Sequence, residues 1–150
     1  MTLTDRRRTA ILTHFRRILL AQQDRLKTFL EILKKQKTAL EQGETETAVA
    51  YTEHEEYIFA EIKELQKTAG SWNALYLSVS APNDGIRAIK TARDALLKEA
   101  EQGIAENRRL LSLRMASTAS ALQAVKQNPL RKRAQGYTGA IATGTINFTL

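Results

Sequence analysis

Along residues 86–127 the apolar side chains return at alternating steps of three and four: Leu97, Ala100, Ile104, then Leu111, Met115, Thr118, Leu122 and Val125, with Arg108 in the intervening slot. That spacing marks one face of an α-helix. The run holds no proline and a single glycine, Gly103. At about 1.5 Å of rise per residue it predicts a helix roughly 60 Å long, which suits one rod of an elongated bundle. Its second half, Met115-Ala-Ser-Thr-Ala-Ser-Ala-Leu-Gln-Ala-Val125, carries small side chains on several faces. Two occupants suit such a surface: the first helix of the same chain, closely packed, or an amphipathic helix from another protein.

The same alternation organises the N-terminal forty residues. Leu12, Phe15, Leu19, Gln22, Leu26, Phe29, Leu33, Gln36 and Leu40 form a seam that only the two glutamines interrupt, as in a helix that buries itself against another long helix. Thr2 and Asp5 have the spacing of a capping box, and Gly43 suits the residue just past a helix end. Thr45, between Glu44 and Glu46, opens a second helix with acids in its first turn. Its seam reads Tyr51, Glu55, Ile58, Ile62, Leu65 and Ala69. So short a connection predicts an antiparallel hairpin.

Gly70-Ser71 loosens or ends helix two. Residues 71–85 then read as a short helix or irregular corner, with Trp72 plugging the end of the bundle. Pro82-Asn-Asp-Gly85 is a turn cluster in which Asn83 or Asp84 serves as N-cap for helix three, and Asn128-Pro129 ends that helix. The predicted fold class is therefore all-α: an elongated antiparallel three-helix bundle, built as a coiled-coil hairpin plus a long third helix. Helices are expected at about 4–42, 45–69 and 85–127, in one domain spanning 1–127. A flexible C-terminal tail, 128–150, follows; it holds three basic residues, three glycines and no acid.

Composition narrows the chemistry. The 150 residues include no cysteine, which removes disulfides, thiolate catalysis and sulfur-ligated zinc. No apolar run approaches the roughly twenty residues of a membrane span, and no signal-peptide core follows the basic N-terminus, so a soluble cytoplasmic protein is expected. His14 and His54 lie in different helices, and Ile58 stands one turn after His54 where a second ligand would be needed. There is no phosphate loop and no nucleophile elbow. The expectation is a protein without catalytic residues, cofactor or metal. Glu55, on the seam, is expected to form a partly buried ion pair with helix one or three.

The net charge of +7 is unevenly spread: +6 over residues 1–42, −6 over 43–85, +4 over 86–127 and +3 over 128–150. An acidic segment between basic ones predicts charge complementarity between helices. The basic clusters are Arg6-Arg7-Arg8 with Arg16-Arg17, and Arg131-Lys132-Arg133. No aromatic residues are interleaved with them as a base-stacking platform requires, so no nucleic acid is expected as partner.

Several features coincide with a known family. The chain has three helices of this length order, the acid-flanked glycine of Gln42-Gly-Glu-Thr-Glu46 and the Glu- and Leu-rich stretch Glu53-His-Glu-Glu-Tyr-Ile-Phe-Ala-Glu-Ile-Lys-Glu-Leu-Gln66. Glu106-Asn-Arg-Arg-Leu-Leu111 and a tail with tyrosine and glycines complete the set. Together they resemble the flagellar export chaperones of the FlgN family, over nearly the whole chain. The resemblance implies a cytoplasmic chaperone that holds hook-filament junction (hook-associated) proteins for type III export and delivers them to the flagellar export gate or ATPase complex. It implies a monomer or weak dimer without stable membrane insertion. It also implies that the C-terminal part engages the cargo and that a tyrosine near the C-terminus, by position Tyr137, docks at the gate. On the residues themselves, Leu111, Met115, Leu122 and Val125, separated by small side chains, offer an apolar groove, with Leu130 and the tail ordering on binding. Two other readings compete: a structural or adaptor coiled coil whose seams are filled by self-association, and a basic helical nucleic-acid binder.

Overall fold

In the computed structural model residues 2–81 and 84–126 are described, and they form three helices: α1, Leu3–Glu41; α2, Thr45–Leu77; and α3, Ile86–Lys126. No strand occurs among the described residues. The fold is all-α, as the periodicity predicts. Position 127 and the tail, with Leu130 and Tyr137, lie outside the described residues.

The helix ends follow local chemistry. At the start of α1 the Thr2 amide donates to Asp5 Oδ2 at 3.0 Å while the Asp5 amide donates to Thr2 Oγ1 at 3.1 Å, which is the reciprocal capping box. At its end the Glu44 amide donates to the Ala39 carbonyl at 2.8 Å and the Gly43 amide to that of Leu40 at 3.2 Å. This is a Schellman closure, and it puts Gly43 at φ +77°, a conformation that a Cβ disfavours. At the start of α3 Asp84 Oδ1 accepts from the Ile86 amide at 3.0 Å; Asn83 lies outside the described residues.

Helix α2 does not stop at Ala69. It runs unbroken through Gly70, Ser71 and Trp72 to Leu77, so no irregular corner begins at residue 71. A glycine inside a helix costs about 0.5–1 kcal/mol relative to alanine, and the added turns offset that cost by burying Tyr76 and partly burying Trp72. Trp72 packs, partly buried, against the core that includes Tyr76 and Ile86 at the head of α3. It lies flat on His14 of α1, ring centroids 5.2 Å apart.

The described residues divide into two compact units, each with a segment of every helix. In the first, residues 1–29 and 57–100, the core is Ile11, Phe15, Leu19, Ala69, Tyr76 and Ile86. The contacts Phe15–Tyr76 and Phe29–Phe59 set α1 and α2 antiparallel. Buried Gln22 is satisfied rather than wasted: its amide donates to Gln66 Oε1, and its carbonyl accepts from Arg93 at 3.2 Å.

In the second unit, 30–56 with the described residues from Glu101 on, Ala39, Leu40, Ala48 and Leu111 form the apolar core. A polar layer crosses it. Gln36 Nε2 donates to the Ala48 carbonyl at 3.0 Å and to Thr52 Oγ1 at 3.3 Å, and Asn107 Nδ2 donates to the Leu33 carbonyl at 3.0 Å and to Gln36 Oε1 at 2.9 Å. The buried slot of α3 is thus Asn107, not Arg108 as the spacing suggested, and in α2 it is Thr52 rather than the half-buried Tyr51.

Candidate functional site

Arg114 decides the geometry at the end of α1 in the second unit. Its Nε donates to the Leu40 carbonyl at 2.8 Å and its Nη2 to that of Glu41 at 3.0 Å. Those carbonyls end α1, whose own last turn holds no basic residue, so a cation from α3 satisfies them and complements the helix dipole. Periodicity gives no hint of this clamp, because Arg114 stands off the apolar repeat.

From Arg114, α3 continues about three further turns to Lys126, while α1 has already ended at Glu41. Close packing of this half on helix one, one of the two arrangements its small residues allow, is therefore not what forms. Instead Ser117, Thr118, Ala121, Leu122 and Val125 face the α1–α2 turn, Gly43 to Thr47, across an open groove of about 630 Å³. Within these turns Thr118, Leu122 and Val125 are half-buried and their neighbours are exposed, which reproduces the expected seam.

The candidate residues separate. Leu122 and Val125 line the groove. Leu111 does not; it is buried in the core with Leu40 and Ala48, so its assignment to an open binding face is corrected. Met115 is 37% exposed, and Leu113, absent from the candidates, is 56% exposed. A leucine off the repeat carries no periodic signal. The acids Glu44 and Glu46 lie on the groove's other wall.

A second unusual place is the small cavity, about 10 Å³, between Leu33, Gln36, Glu55, Asn107, Arg108 and their neighbours. Glu55 is buried, and its Oε1, like Arg108 Nε, has no hydrogen-bond partner among the described residues. The expected ion pair of Glu55 does not form. Burial, and then the like charge of Glu56, push its carboxyl up to about 8, so the protonated form predominates at pH 7. It faces no nucleophile and no groove. No group of three His, Asp or Glu side chains placed to hold a metal occurs among the described residues, and no described helix is long and apolar enough to cross a membrane.

No family model matches the chain, and no solved structure matches it. It is similar to an uncharacterized protein of Treponema pallidum (strain Nichols), 24% identical over 140 residues, which cover 93% of this chain and 89% of that protein. The likeness spans all three helices and the groove.

Proposed function

We infer that this chain is a non-enzymatic chaperone of the flagellar export type, binding hook-filament junction proteins in the cytoplasm and passing them to the type III export apparatus. The observation that carries the reading is the last three turns of α3 beyond Arg114. There Leu122 and Val125 face an open groove of about 630 Å³, and Met115, two turns earlier on the same repeat, is exposed. A groove of that kind accepts the apolar stripe of an amphipathic helix, and Glu44 and Glu46 at its margin favour a helix with basic flanks. The resemblance of the residue pattern to the FlgN family supplies the cargo class and, by position, the docking of Tyr137 at the export gate, while Leu130 and the tail order on cargo binding.

The test is to mix the purified full chain with a hook-filament junction protein of the same organism and measure the mass of the species by light scattering after size exclusion. A complex of one chain with its cargo is expected. A stable oligomer of the chain that ignores the cargo would instead identify a self-associating structural coiled coil.

A further inference from the structure

In the first unit the outward stripe of α1 keeps the helix period as strictly as the buried one. Leu3, Arg6, Ala10, Thr13, Arg17 and Leu20 follow one another at steps of 3, 4, 3, 4 and 3, and every one is exposed; this spacing places them on a single face. Arg7 and Arg16, also exposed, flank the stripe. No acid occurs between Asp5 and Asp24.

These cations are uncommitted. Arg8 donates to the Val79 carbonyl at 3.1 Å and Arg25 pairs with Glu61 at 3.5 Å, but the guanidinium groups of Arg6, Arg7, Arg16 and Arg17 make no hydrogen bond or ion pair with any described residue. The unit as a whole has 13 Lys and Arg against 7 Asp and Glu, a net +6. At the two ends of the stripe stand apolar side chains open to solvent, Leu3 at 84% and Leu20 at 44% exposure, roughly 25 Å apart along the helix.

The partner this face fits is anionic, extended and soft enough to admit a leucine. Nucleic acid fits less well: of the rings on α1 between Leu3 and Leu20, Phe15 is in the core and His14 is stacked on Trp72, so this stretch leaves none free to stack on a base. Guanidinium groups take phosphate oxygens two at a time. The small residues Ala10 and Thr13 let the helix lie close, and leucines at each end reach the boundary between headgroup and acyl chain. We propose that the outer face of α1 from Leu3 to Leu20 docks peripherally on an anionic phospholipid surface. No described helix crosses a membrane, so the contact is superficial and reversible. It stands independently of the groove on α3.

Co-sedimentation of the full chain with vesicles tests it. Vesicles of phosphatidylcholine containing one third phosphatidylglycerol should bind the protein at low ionic strength and release it as salt is raised, while pure phosphatidylcholine should not bind. Each arginine contributes about fivefold to partitioning, so Arg6→Gln with Arg17→Gln should weaken it by roughly twentyfold or more. Leu20→Ser should weaken it several-fold. Lys34→Gln with Lys35→Gln, exposed on α1 in the other unit, should change it by less than the double arginine variant. All these side chains are solvent-facing, so circular dichroism should stay unchanged. Failure of the anionic vesicles to bind, or equal binding by the Arg6→Gln/Arg17→Gln variant, overturns the proposal. Duplex DNA bound by the same arginines without vesicle binding would overturn it in favour of a nucleic acid.

Discussion

Glu55 occupies a slot where the repeat of α2 places a hydrocarbon side chain, between Ala48 and Ile58. Its folded-state carboxyl titrates at about 8 because burial, then Glu56, disfavours the charge, whereas an unfolded chain releases the proton near the ordinary glutamate value of about 4.3. The folded state therefore holds the proton more tightly, and stability falls as pH rises from about 4.5 towards 8. Glu55→Gln removes that dependence. Thermal melts should show the variant more stable than the parent at pH 8, by an amount on the order of a few kcal/mol, with the gap closing towards pH 4.5. A variant less stable than the parent at pH 8 would show that the carboxylate is paired. At this scale the sequence was only partly legible. From Ile104 a step of four reaches Arg108 and a step of three reaches Asn107, and Leu111 follows from either; periodicity alone cannot choose. The amide wins because it completes bonds to Gln36 and the Leu33 carbonyl, partners that are remote in sequence.

Helix boundaries were legible where one residue's own chemistry set them. Gly43 and the Thr2–Asp5 box are local devices, and both form as read. Gly43→Ala would keep ordinary contact distance to Arg114, 3.6 Å, but would hold a Cβ at φ +77°. It should cost about 1–2 kcal/mol, visible as a lowered melting temperature. Gly70 signals a loosening or end of α2 locally, but the burial of Tyr76 beyond it carries the helix on to Leu77. Nothing stands within 4 Å of a Cβ there and its φ is helical, so Gly70→Ala should stabilise by about 0.5–1 kcal/mol; a lower melting temperature would contradict this account of α2. At the head of α3, burial alone would push the Asp84 carboxyl up. The amides of Ala81 and Ile86, the Tyr76 hydroxyl and the charge of Arg8 together hold it below the usual range. Its contribution is therefore present above the ordinary aspartate range and lost as pH falls through the lowered value. Asp84→Ala should cost about 1 kcal/mol at pH 7 and less in acid, read from chemical denaturation at both pH values.

For the molecule as a whole, the charge blocks along the sequence suggested helices that neutralise one another. Between pairs of described residues, Arg25–Glu61 joins two helices, while Arg25–Asp24, Lys37–Glu41, Arg93–Asp94 and Arg109–Glu106 each lie within one. The antiparallel seams bury glutamine, leucine and phenylalanine, and most charged side chains face solvent. The all-α class and the α1 seam were legible because burial and helix period coincide there. The groove was legible only in part: Leu122 and Val125 stand on the repeat, but the feature that opens it is the clamp of Arg114 on the last carbonyls of α1, a contact between residues more than seventy positions apart. The central claim is that this groove takes a partner's helix. Its most direct test is calorimetric titration of a hook-filament junction protein into the parent chain and into Leu122→Glu with Val125→Glu, two half-buried positions beyond the end of α1. Each apolar side chain covered on binding is worth about 1.5–3 kcal/mol, so the double variant should bind at least about a hundredfold more weakly with its helix content unchanged; equal affinity in a folded variant would contradict the account.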